Sequence, residues 1–423
     1  MLSSLIALAQ AGDIVQVWEP VLTQEGQLAA DAMVVTDLDG DGLLDYGAAL
    51  QLNDGTLGFV SRYGSDDTDH EQFLDVVVGA NLWRFSDFDE DGAQELVIVY
   101  PELLSGEYTV IEGESLRSPP DEWSILMDGK GRQGEDGFGT DLELVDLDGD
   151  GVDELVFGAP QKNTILVIAY KQGATVGSDG GIGRWVGEDN ITMGSHLTVV
   201  QDRGEDGHPD IVAATGSGIV LLHSSDAEGV TGVGEATVEV DVAGELEKLV
   251  TIPDMDGDGL EDIAWVTSEQ MFWLSLETGE FASWPVSLTG DVVGTADGVW
   301  ISDGGDLVFY DSSGPVETFA VEGTLGSVLQ RAGDLDGDGC EEVHASHPGR
   351  GHVLTLSLTC VSDTGDTGEP EDDTAPPDDT GPRDDTGVCV PVFGWTCSTT
   401  PGAGGFVGGL LFLLGLAQWL GRR

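Results

Sequence analysis

Positively charged residues are scarce in this sequence. Among its 423 residues, 15 Lys and Arg stand against 79 Asp and Glu, which gives a formal net charge of -64. Binding of nucleic acid through its phosphates needs the opposite charge, so we exclude that class of function. An acidic excess is typical of disordered chains, of halophilic surfaces and of cation sites. Many of the acids lie in short loops between apolar runs, which favours cation sites.

Cysteine is nearly as scarce, with four residues in the last quarter of the chain. No C-x-x-C motif and no neighbouring His pair accompanies them, so a structural zinc site is disfavoured. An even number of cysteines in an exported protein allows two disulfides, in one of three connectivities. We expect the sequence-local pairing, Cys340 with Cys360 and Cys389 with Cys397.

Helical periodicity and catalytic motifs are missing as well. No amphipathic helical period persists for about ten residues, and the phosphate-binding loop, G-x-S-x-G and H-E-x-x-H motifs do not occur. Three histidines cluster at His344, His347 and His352, and we predict that they line a surface loop rather than a metal site. The sequence therefore favours a protein that is not an enzyme.

Between residues 13 and 360 the chain consists of short apolar runs broken by Gly, Asp and Asn. The runs ELVIVY at 95–100, ILVIAY at 165–170 and GIVLLH at 218–223 are typical of short strands. The 63 Gly residues indicate many tight turns. We therefore predict an all-β region over residues 13–360.

The two ends of the chain differ from this region. Residues 1–11 end in an A-x-A pattern, which predicts a short signal peptide, with a first β-strand as the alternative. Residues 361–388 are acidic, contain Asp-Thr-Gly four times and predict a disordered linker. A Cys-containing segment, 389–401, precedes the uncharged stretch 402–421, which as a helix would span a bilayer core of about 30 Å.

Two terminal arginines, 422–423, follow that stretch and are expected to stay on the cytoplasmic side. The rest of the chain then lies outside the cell. We expect an exported protein, at the cell surface or extracellular, that is anchored in the membrane through its C-terminal helix.

An acidic loop of fixed internal spacing recurs along the apolar region. Acids occupy its positions 1, 3, 5 and 9, and Gly occupies position 6. First positions are 50, 59, 56 and 52 residues apart, and the last gap of 80 residues holds two units, with a degenerate copy at 297–306. Seven units result.

We number the loops by unit, so the intact copies are loops 1, 2, 3, 5 and 7, and loop 4 is a weaker copy without the third-position acid. The predicted metal ligands are Asp37, Asp39, Asp41 and Asp45 (loop 1); Asp87, Asp89, Asp91 and Glu95 (loop 2); Asp146, Asp148, Asp150 and Glu154 (loop 3); Asp202, Asp206 and Asp210 (loop 4); Asp254, Asp256, Asp258 and Asp262 (loop 5); and Asp334, Asp336, Asp338 and Glu342 (loop 7).

This spacing suits calcium, a hard cation that takes six to eight oxygen ligands in flexible geometry. Acids at positions 1, 3 and 5 of a tight loop converge on one point, and the acid at position 9 closes the cage. An EF-hand would need Glu at position 12, where this chain has Ala48, Ile98, Phe157, Ala213, Trp265 and Ala345. The sequence therefore predicts about five or six Ca²⁺ ions in loops that join strands.

The frame D-x-D-G-D-G-x-x-D/E followed by an apolar strand resembles the FG-GAP and VCBS repeats of integrin α-chain propellers. The fullest match is Phe138-Gly139 before loop 3 and the segment 157–160, FGAP, after it. The resemblance implies a seven-bladed β-propeller of four-stranded blades, with calcium loops joining the first two strands of each blade. The tail, with Cys397 before its apolar stretch, resembles the C-terminal sorting signals of myxobacterial surface proteins.

A cell-surface binding or adhesion module is the function that we expect. One face of the propeller would be held by calcium, and the other would present loops to a protein or glycan partner. Trp83, Trp265 and Trp273 are predicted in the core, whereas Trp123 and Trp185 are predicted in longer loops that contact a ligand. The alternatives are a secreted enzyme of polysaccharide lyase or lipase type, which the resemblance allows, and a purely structural envelope protein.

Overall fold

Seven β-sheets make up the part of the chain that the computed structural model describes, and each sheet is one blade of a seven-bladed β-propeller. All described residues belong to the compact unit Met1–Asp363, and a second unit, Thr364–Arg423, lies outside them. The prediction of an all-β propeller with seven blades is confirmed. The description covers residues 14–357 except 19–25, 53–56, 66–68, 75–81, 102–105, 132–136, 178–179, 189–191, 217, 235–237, 240–244, 280, 321–325, 327, 334–339 and 348–351.

The strands follow the repeats along the chain. The first strand and blades 1 and 2 comprise β1 (Ile14–Trp18), β2 (Gly26–Thr36), β3 (Asp45–Leu52), β4 (Leu57–Arg62), β5 (Asp69–Leu74), β6 (Leu82–Ser86), β7 (Glu95–Tyr100), β8 (Glu107–Ile111) and β9 (Ile125–Lys130). Blades 3 and 4 and their connections comprise β10 (Leu142–Val145), β11 (Glu154–Ala159), β12 (Thr164–Ile168), β13 (Ala174–Thr175), β14 (Gly183–Gly187), β15 (Met193–Val200), β16 (Asp210–Thr215), β17 (Gly218–Leu222), β18 (Gly229–Val233) and β19 (Val238–Glu239).

Blades 5 to 7 continue the same order. They comprise β20 (Leu246–Ile252), β21 (Asp262–Thr267), β22 (Gln270–Leu274), β23 (Phe281–Pro285), β24 (Leu288–Gly294), β25 (Val299–Asp303), β26 (Asp306–Asp311), β27 (Gly314–Phe319), β28 (Leu329–Gly333), β29 (Glu342–His347) and β30 (His352–Leu356). Helical turns among the described residues are the short 3-10 helices Gly113–Arg117, Pro120–Glu122, Pro160–Lys162 and Ser224–Asp226.

The ring is closed by strands from both ends of the propeller. Blade 7 has the order β1-β30-β29-β28, so the first strand of the chain completes the sheet that the last strands begin. Strand β1 pairs antiparallel with β30, with Val17 opposite Leu354. This closure joins the first repeat to the last by strand pairing, and it supplies hydrogen-bond partners for the backbone N–H and C=O groups along one edge of β30.

The core lies between blades rather than inside one sheet. Along β11, Leu155 and Phe157 pack toward blade 2, whereas Val156, one residue out of phase, packs toward blade 4. Similar apolar clusters join every other pair of neighbouring blades, including blades 7 and 1, where Val353 packs with Met33. Each blade therefore buries both of its faces only when its neighbours are present, which explains why the repeats form one unit.

Two connections add a fifth strand to the preceding blade. Strand β13, from the β12–β14 connection of blade 3, pairs in parallel with β9 of blade 2. Strand β18, from the β17–β19 connection of blade 4, pairs in parallel with β14 of blade 3. These pairings tie blades 2, 3 and 4 together at their outer edges, and sequence periodicity gave no sign of them.

The structure corrects two predictions about aromatic and imidazole side chains. Trp185 lies in β14 and is 1% exposed, so it belongs to the core and cannot contact a ligand. The prediction that it lies in a longer loop is wrong, because β12 and β18 pair with β14 on both sides. His344 and His347 are buried in β29 and do not line a surface loop. Burial of Trp83, Trp265 and Trp273 is confirmed.

Cys340 is disulfide-bonded and buried, and the other three cysteines lie outside the described residues. The predicted signal peptide (1–11), linker (361–388), pre-anchor segment (389–401) and C-terminal helix (402–421, followed by 422–423) also lie outside them. Within the part of the chain that is described, no helix is long and apolar enough to cross a membrane.

Candidate metal centres

All of the predicted loops lie at the same place in their blades. Loops 1 to 5 each connect the first strand of a blade to its second strand, and loop 7 lies between β28 and β29. The ninth residue of every loop is the first residue of the second strand: Asp45, Glu95, Glu154, Asp210, Asp262 and Glu342. The expectation that the acidic loops join the first two strands is therefore met. Because these strand ends meet on one side of the propeller, the loops share one face.

Three hydrogen bonds recur in the described loops 1 to 5. In loop 2 the amide of Phe88 donates to Glu95 Oε2 (2.8 Å), that of Gly92 to Asp87 Oδ2 (3.0 Å), and that of Ala93 to Asp91 Oδ1 (2.8 Å). The equivalent bonds are present in the other four loops. The acids at positions 1, 5 and 9 thus fix the loop backbone, and each keeps oxygen lone pairs for another partner.

The loop conformation needs a left-handed backbone at positions 4 and 6. Gly at position 6 has φ of 81° to 94° in loops 1 to 5. Position 4 is also left-handed, and there loops 2 and 4 carry Glu90 (φ 60°) and Glu205 (φ 58°) in place of Gly. A residue with a Cβ is strained in this region by about 1 kcal/mol. The spacing of the loop indicated the glycine at position 6 but not the same requirement at position 4.

The acid at position 9 is the buried member of each set. Burial raises the pKa of Glu95 to about 8 and that of Glu154 to about 7, and the other carboxylates of the same loop add to the effect. Burial likewise raises the pKa of Asp45 and of Asp262 to about 6. Of the four, Glu95 has its pKa above neutral pH, so its carboxyl is mostly protonated at pH 7 unless a positive charge lies beside it.

In loop 2, two buried carboxylate oxygens have no hydrogen-bond donor beside them among the described residues. They are Asp89 Oδ1 and Glu95 Oε1. Both residues belong to the group Asp87, Asp89 and Glu95, which offers ligand oxygens within 4.8 Å of one another. Two oxygens on opposite sides of a calcium ion are about 5 Å apart, because Ca–O distances are about 2.3–2.6 Å. The donor set of loop 2 therefore fits a divalent cation.

Three further loops bring acids equally close together. The groups are Asp37, Asp39 and Asp41 in loop 1, Asp146, Asp148 and Glu154 in loop 3, and Asp254, Asp256 and Asp262 in loop 5. Every ligand in these groups is a carboxylate, which suits hard cations such as Ca²⁺ or Mg²⁺ and not the softer transition metals. Several of the predicted sites are thus able to hold a metal ion. In loop 7, Asp334, Asp336 and Asp338 lie outside the described residues, and Glu342 is buried.

Loop 1 has a protein cation beside it. The Arg117 guanidinium, from the 3-10 helix between β8 and β9 of blade 2, forms an ion pair with Asp39. It also donates to Ser65 Oγ (3.1 Å) and lies over the ring of Tyr63, 3.9 Å from the centroid. Asp39 is at position 3 of loop 1, so the residue that pairs with Arg117 is also a predicted metal ligand. Sequence spacing could not reveal this contact, since 78 residues separate the two.

Loop 4 does not form such a group among the described residues. Asp202 accepts the amides of Asp206 (3.3 Å) and Gly207 (2.7 Å), as in the other loops. Asp206 and Asp210, however, are bonded to the turn that follows β17, which contains His223 and Ser224. The loss of the third-position acid, which the sequence showed as Gly204, therefore coincides with a different set of partners.

A cavity of about 570 Å³ opens at the same end of the propeller, where blades 4 to 7 meet. The first two strands of blade 6 are joined by a short turn in place of an acidic loop, and that turn forms part of the wall. Gln201 Nε2 is buried and has no hydrogen-bond partner among the described residues. The turn of blade 6 comprises residues 295–298, so the prediction of a degenerate loop copy at 297–306 is wrong in its place: most of that stretch is β25 (Val299–Asp303) and the turn after it. The wall includes Gln201, Pro209, Thr251, Glu261, Thr295 and Arg331.

Blade 3 carries the best-preserved repeat motif. Gly139 donates its amide to Gly158 O (2.9 Å), and the rings of Phe138 and Phe157 are 4.5 Å apart. A Cβ on Gly158 would lie 2.0 Å from Gly194 O in blade 4, so no side chain fits there. The motif residues thus pack blade against blade. Residues 138–178 match the FG-GAP repeat family, which together with the seven sheets supports an FG-GAP propeller.

Solved structures with a similar fold include BBS1N in complex with ARL6DN, with 12% identity, a TM-score of 0.52 and coverage of 83% of this chain and 98% of that chain. The rhamnogalacturonan lyase YesW has 14% identity and a TM-score of 0.46, covering 78% and 60%. The extracellular domain of BT4673 from B. thetaiotaomicron has 11% identity and a TM-score of 0.47, covering 79% and 41%. At these identities the likeness concerns the fold alone. The comparison with curated proteins gives no match.

Proposed function

We propose that this protein is a calcium-binding β-propeller of the cell surface that acts as a binding module. The observation that carries the calcium part is the pair of buried carboxylate oxygens without partners in loop 2, Asp89 Oδ1 and Glu95 Oε1. A buried carboxylate with one oxygen unpaired and no counter-ion is costly, and a divalent cation supplies the missing charge. Asp87 and Asp91 complete the set in that loop, and loops 1, 3 and 5 supply similar groups.

Calcium in these loops would hold the turns of a fold that is rich in Gly and poor in helix. The ion would neutralise carboxylates that otherwise repel one another, so its main role here is to stabilise one face of the propeller. The chain's own residues orient the site: the position 1 and position 9 acids fix the loop backbone, and the left-handed positions turn it.

Metal content and binding isotherms test the calcium proposal. The full chain, dialysed against calcium and then against buffer, should retain several ions per chain, and excess EGTA should remove them. The variant Asp89→Asn with Glu95→Gln should lose one ion. A matched control with exposed acids, Glu114→Gln with Glu122→Gln, should lose none. Equal loss in both variants, or no bound ion in the unmodified protein, would refute calcium binding.

For the partner we propose a glycan that enters the cavity at the loop face. This is the end opposite to the one that the sequence suggested. The cavity volume of about 570 Å³ accommodates one or two sugar rings, and its wall combines hydrogen-bonding groups with the apolar rings of Pro209 and Pro253. The amide of Gln201 has a donor to offer, and Glu261 and Thr295 offer acceptors. Sugars are recognised by such a combination of polar groups and apolar surface.

A glycan array, followed by calorimetry on any sugar retained, tests this role. Gln201→Ala should weaken binding about fivefold, since one buried hydrogen bond is worth about 1 kcal/mol. Gln270→Ala, an exposed glutamine at the opposite end of blade 5, should leave it unchanged. Retention of no glycan, together with capture of a purified protein ligand, would replace the glycan by a protein partner. Turnover of polysaccharide or phospholipid by the protein would replace the binding role by an enzymatic one.

The cellular location is part of the same proposal. The acidic linker at 361–388 and the apolar stretch at 402–421 support export and anchoring at the C-terminal end, with Cys397 as in a sorting signal. Protease treatment of whole cells should digest the propeller when the chain is complete. Removal of 402–423 should release it into the medium. Protection of the full chain from external protease would contradict this location.

A further inference from the structure

The acids at positions 5 and 9 of loop 4, Asp206 and Asp210, are already bonded to protein donors. Asp206 accepts the amides of His208 (3.0 Å) and Ser225 (3.0 Å). Asp210 accepts the amides of Arg203 (2.8 Å) and Ser224 (2.8 Å). The Nδ1 of His223 lies 3.1 Å from Asp210 Oδ2.

The hydroxyl of Ser224 lies between these two carboxylates. Its Oγ is 2.9 Å and 3.1 Å from the two oxygens of Asp206 and 3.3 Å from Asp210 Oδ1. Ser224 is buried, with 5% of its surface exposed. A small polar group therefore lies within hydrogen-bond distance of the acids at both position 5 and position 9.

Ser224 is also unusual among the equivalent residues. The strand registers align it with Gly64 in blade 1, Gly113 in blade 2, Tyr170 in blade 3 and Leu276 in blade 5. A serine faces the loop only in blade 4 of these five, and only in the same blade is the third-position acid replaced, by Gly204. The lost ligand and the gained hydroxyl thus occur together.

We infer that loop 4 takes no calcium and that the Ser224 hydroxyl closes it in place of the ion. The amide bond from the turn to the position 9 acid also occurs in loop 1, where Gly64 donates to Asp45 (2.7 Å), so the difference lies at Asp206. Asp206 accepts from the Ser224 hydroxyl and the Ser225 amide, so a cation would have to displace these bonds and would find one acid fewer to bind. Loop 4 is then held by protein hydrogen bonds alone, whereas the other loops of the propeller are stabilised by calcium. This inference rests on the proposed calcium binding in the other loops, and it excludes Asp202, Asp206 and Asp210 from the set of ligands.

Counting the ions bound by matched variants of the full chain tests it. Asp206→Asn in loop 4 should leave the number of bound calcium ions unchanged, whereas Asp150→Asn, at the same position of loop 3, should lower it by one. The reverse change, Gly204→Asp with Ser224→Gly, should raise the number by one. The φ at Gly204 is outside the left-handed region, and a Cβ there would lie 3.2 Å from His223 Nδ1 and 3.7 Å from Asp206 Oδ2, so the partly exposed His223 side chain has to move by a few tenths of an ångström. Loss of one ion in Asp206→Asn would overturn the inference.

A stability measurement separates this inference from the calcium proposal. Ser224→Ala should lower the urea midpoint by the same amount in calcium and in EGTA, because the hydroxyl acts without the ion. Ser225→Ala, which keeps the backbone donor and removes only an exposed hydroxyl, should have no effect. An unmodified protein that binds no calcium would refute the proposed function, and the Ser224 result would still decide the closure of loop 4. If Ser224→Ala lowered the urea midpoint in calcium but not in EGTA, the inference that the Ser224 hydroxyl closes loop 4 without an ion would be overturned.

Discussion

Replacing Glu95 by Gln should change the stability of the protein in opposite directions with and without calcium. The substitution keeps the shape of the side chain and the acceptor for the Phe88 amide, and it removes only the charge. Glu95 is fully buried, and its Oε1 has no hydrogen-bond partner among the described residues. Without an ion the buried carboxyl has to take up a proton at neutral pH, whereas with an ion its charge binds the metal.

The magnitude follows from the raised pKa of Glu95, about 8 in the folded chain against 4.5 for the ordinary carboxyl. A folded pKa above the unfolded value means that the folded state binds the proton more tightly, so stability is lost as pH rises from about 4.5 to about 8. At pH 7 in EGTA this loss is about 3 kcal/mol, at about 1.4 kcal/mol for each pH unit. The carboxamide of Gln avoids this loss of stability, but its N–H group has no acceptor, which costs about 1 kcal/mol. Glu95→Gln should therefore stabilise the calcium-free protein by about 2 kcal/mol.

In calcium the sign reverses, because a charged ligand is lost. A hundredfold weaker site costs about 2.7 kcal/mol at saturating calcium. Urea unfolding followed by Trp fluorescence, at several pH values in calcium and in EGTA, measures both quantities. In EGTA the substitution should also flatten the decline of stability with pH. An effect of the same sign in both conditions would refute the assignment of Glu95 as a calcium ligand, and Glu114→Gln, on an exposed side chain, is the control.

Three other changes test separate parts of the structure. Asp148→Ala with Asp150→Ala should remove one bound ion, measured by calcium titration, and should lower the melting temperature in calcium; an unchanged ion count would contradict the site in loop 3. Glu90→Gly should stabilise the protein by about 1 kcal/mol in urea unfolding, because φ at Glu90 is 60°, and Glu90→Gln separates this gain from the loss of charge. Gly158→Ala should destabilise it by at least about 2 kcal/mol, because the new Cβ would meet the Gly194 carbonyl at 2.0 Å, whereas Gly173→Ala, in open space with φ of 72°, should cost only about 1 kcal/mol. An equal cost for both glycines would show that blades 3 and 4 are not closely packed at the repeat motif.

Local pattern was sufficient to predict the loops and the strands that follow them. The spacing of acids and glycine at Asp37 to Asp45 defines a tight turn, and the apolar run after it defines a strand, because both depend on residues a few positions apart. Repetition of that unit gave the number of blades. ELVIVY at 95–100, for instance, is β7 with the same ends.

Partners far apart in the sequence were decided only by the tertiary structure. Arg117 reaches Asp39 across 78 residues, and β1 meets β30 across the whole propeller. Trp185 is buried because β18, a strand from the next repeat, pairs beside it. These contacts depend on which blades become neighbours and on which connections cross between them, and no periodicity within one repeat encodes that.

The candidate site divides in the same way. The sequence by itself determined where the acidic loops are and that loop 4 lacks an acid, since ligand type and spacing are local properties. Only the folded chain decided which carboxylates are buried without partners, as at Glu95, and which are bonded to a facing turn, as Asp206 is to Ser224. The demand of a carboxylate for a cation depends on its burial and on its donors, and both are supplied by residues from other strands.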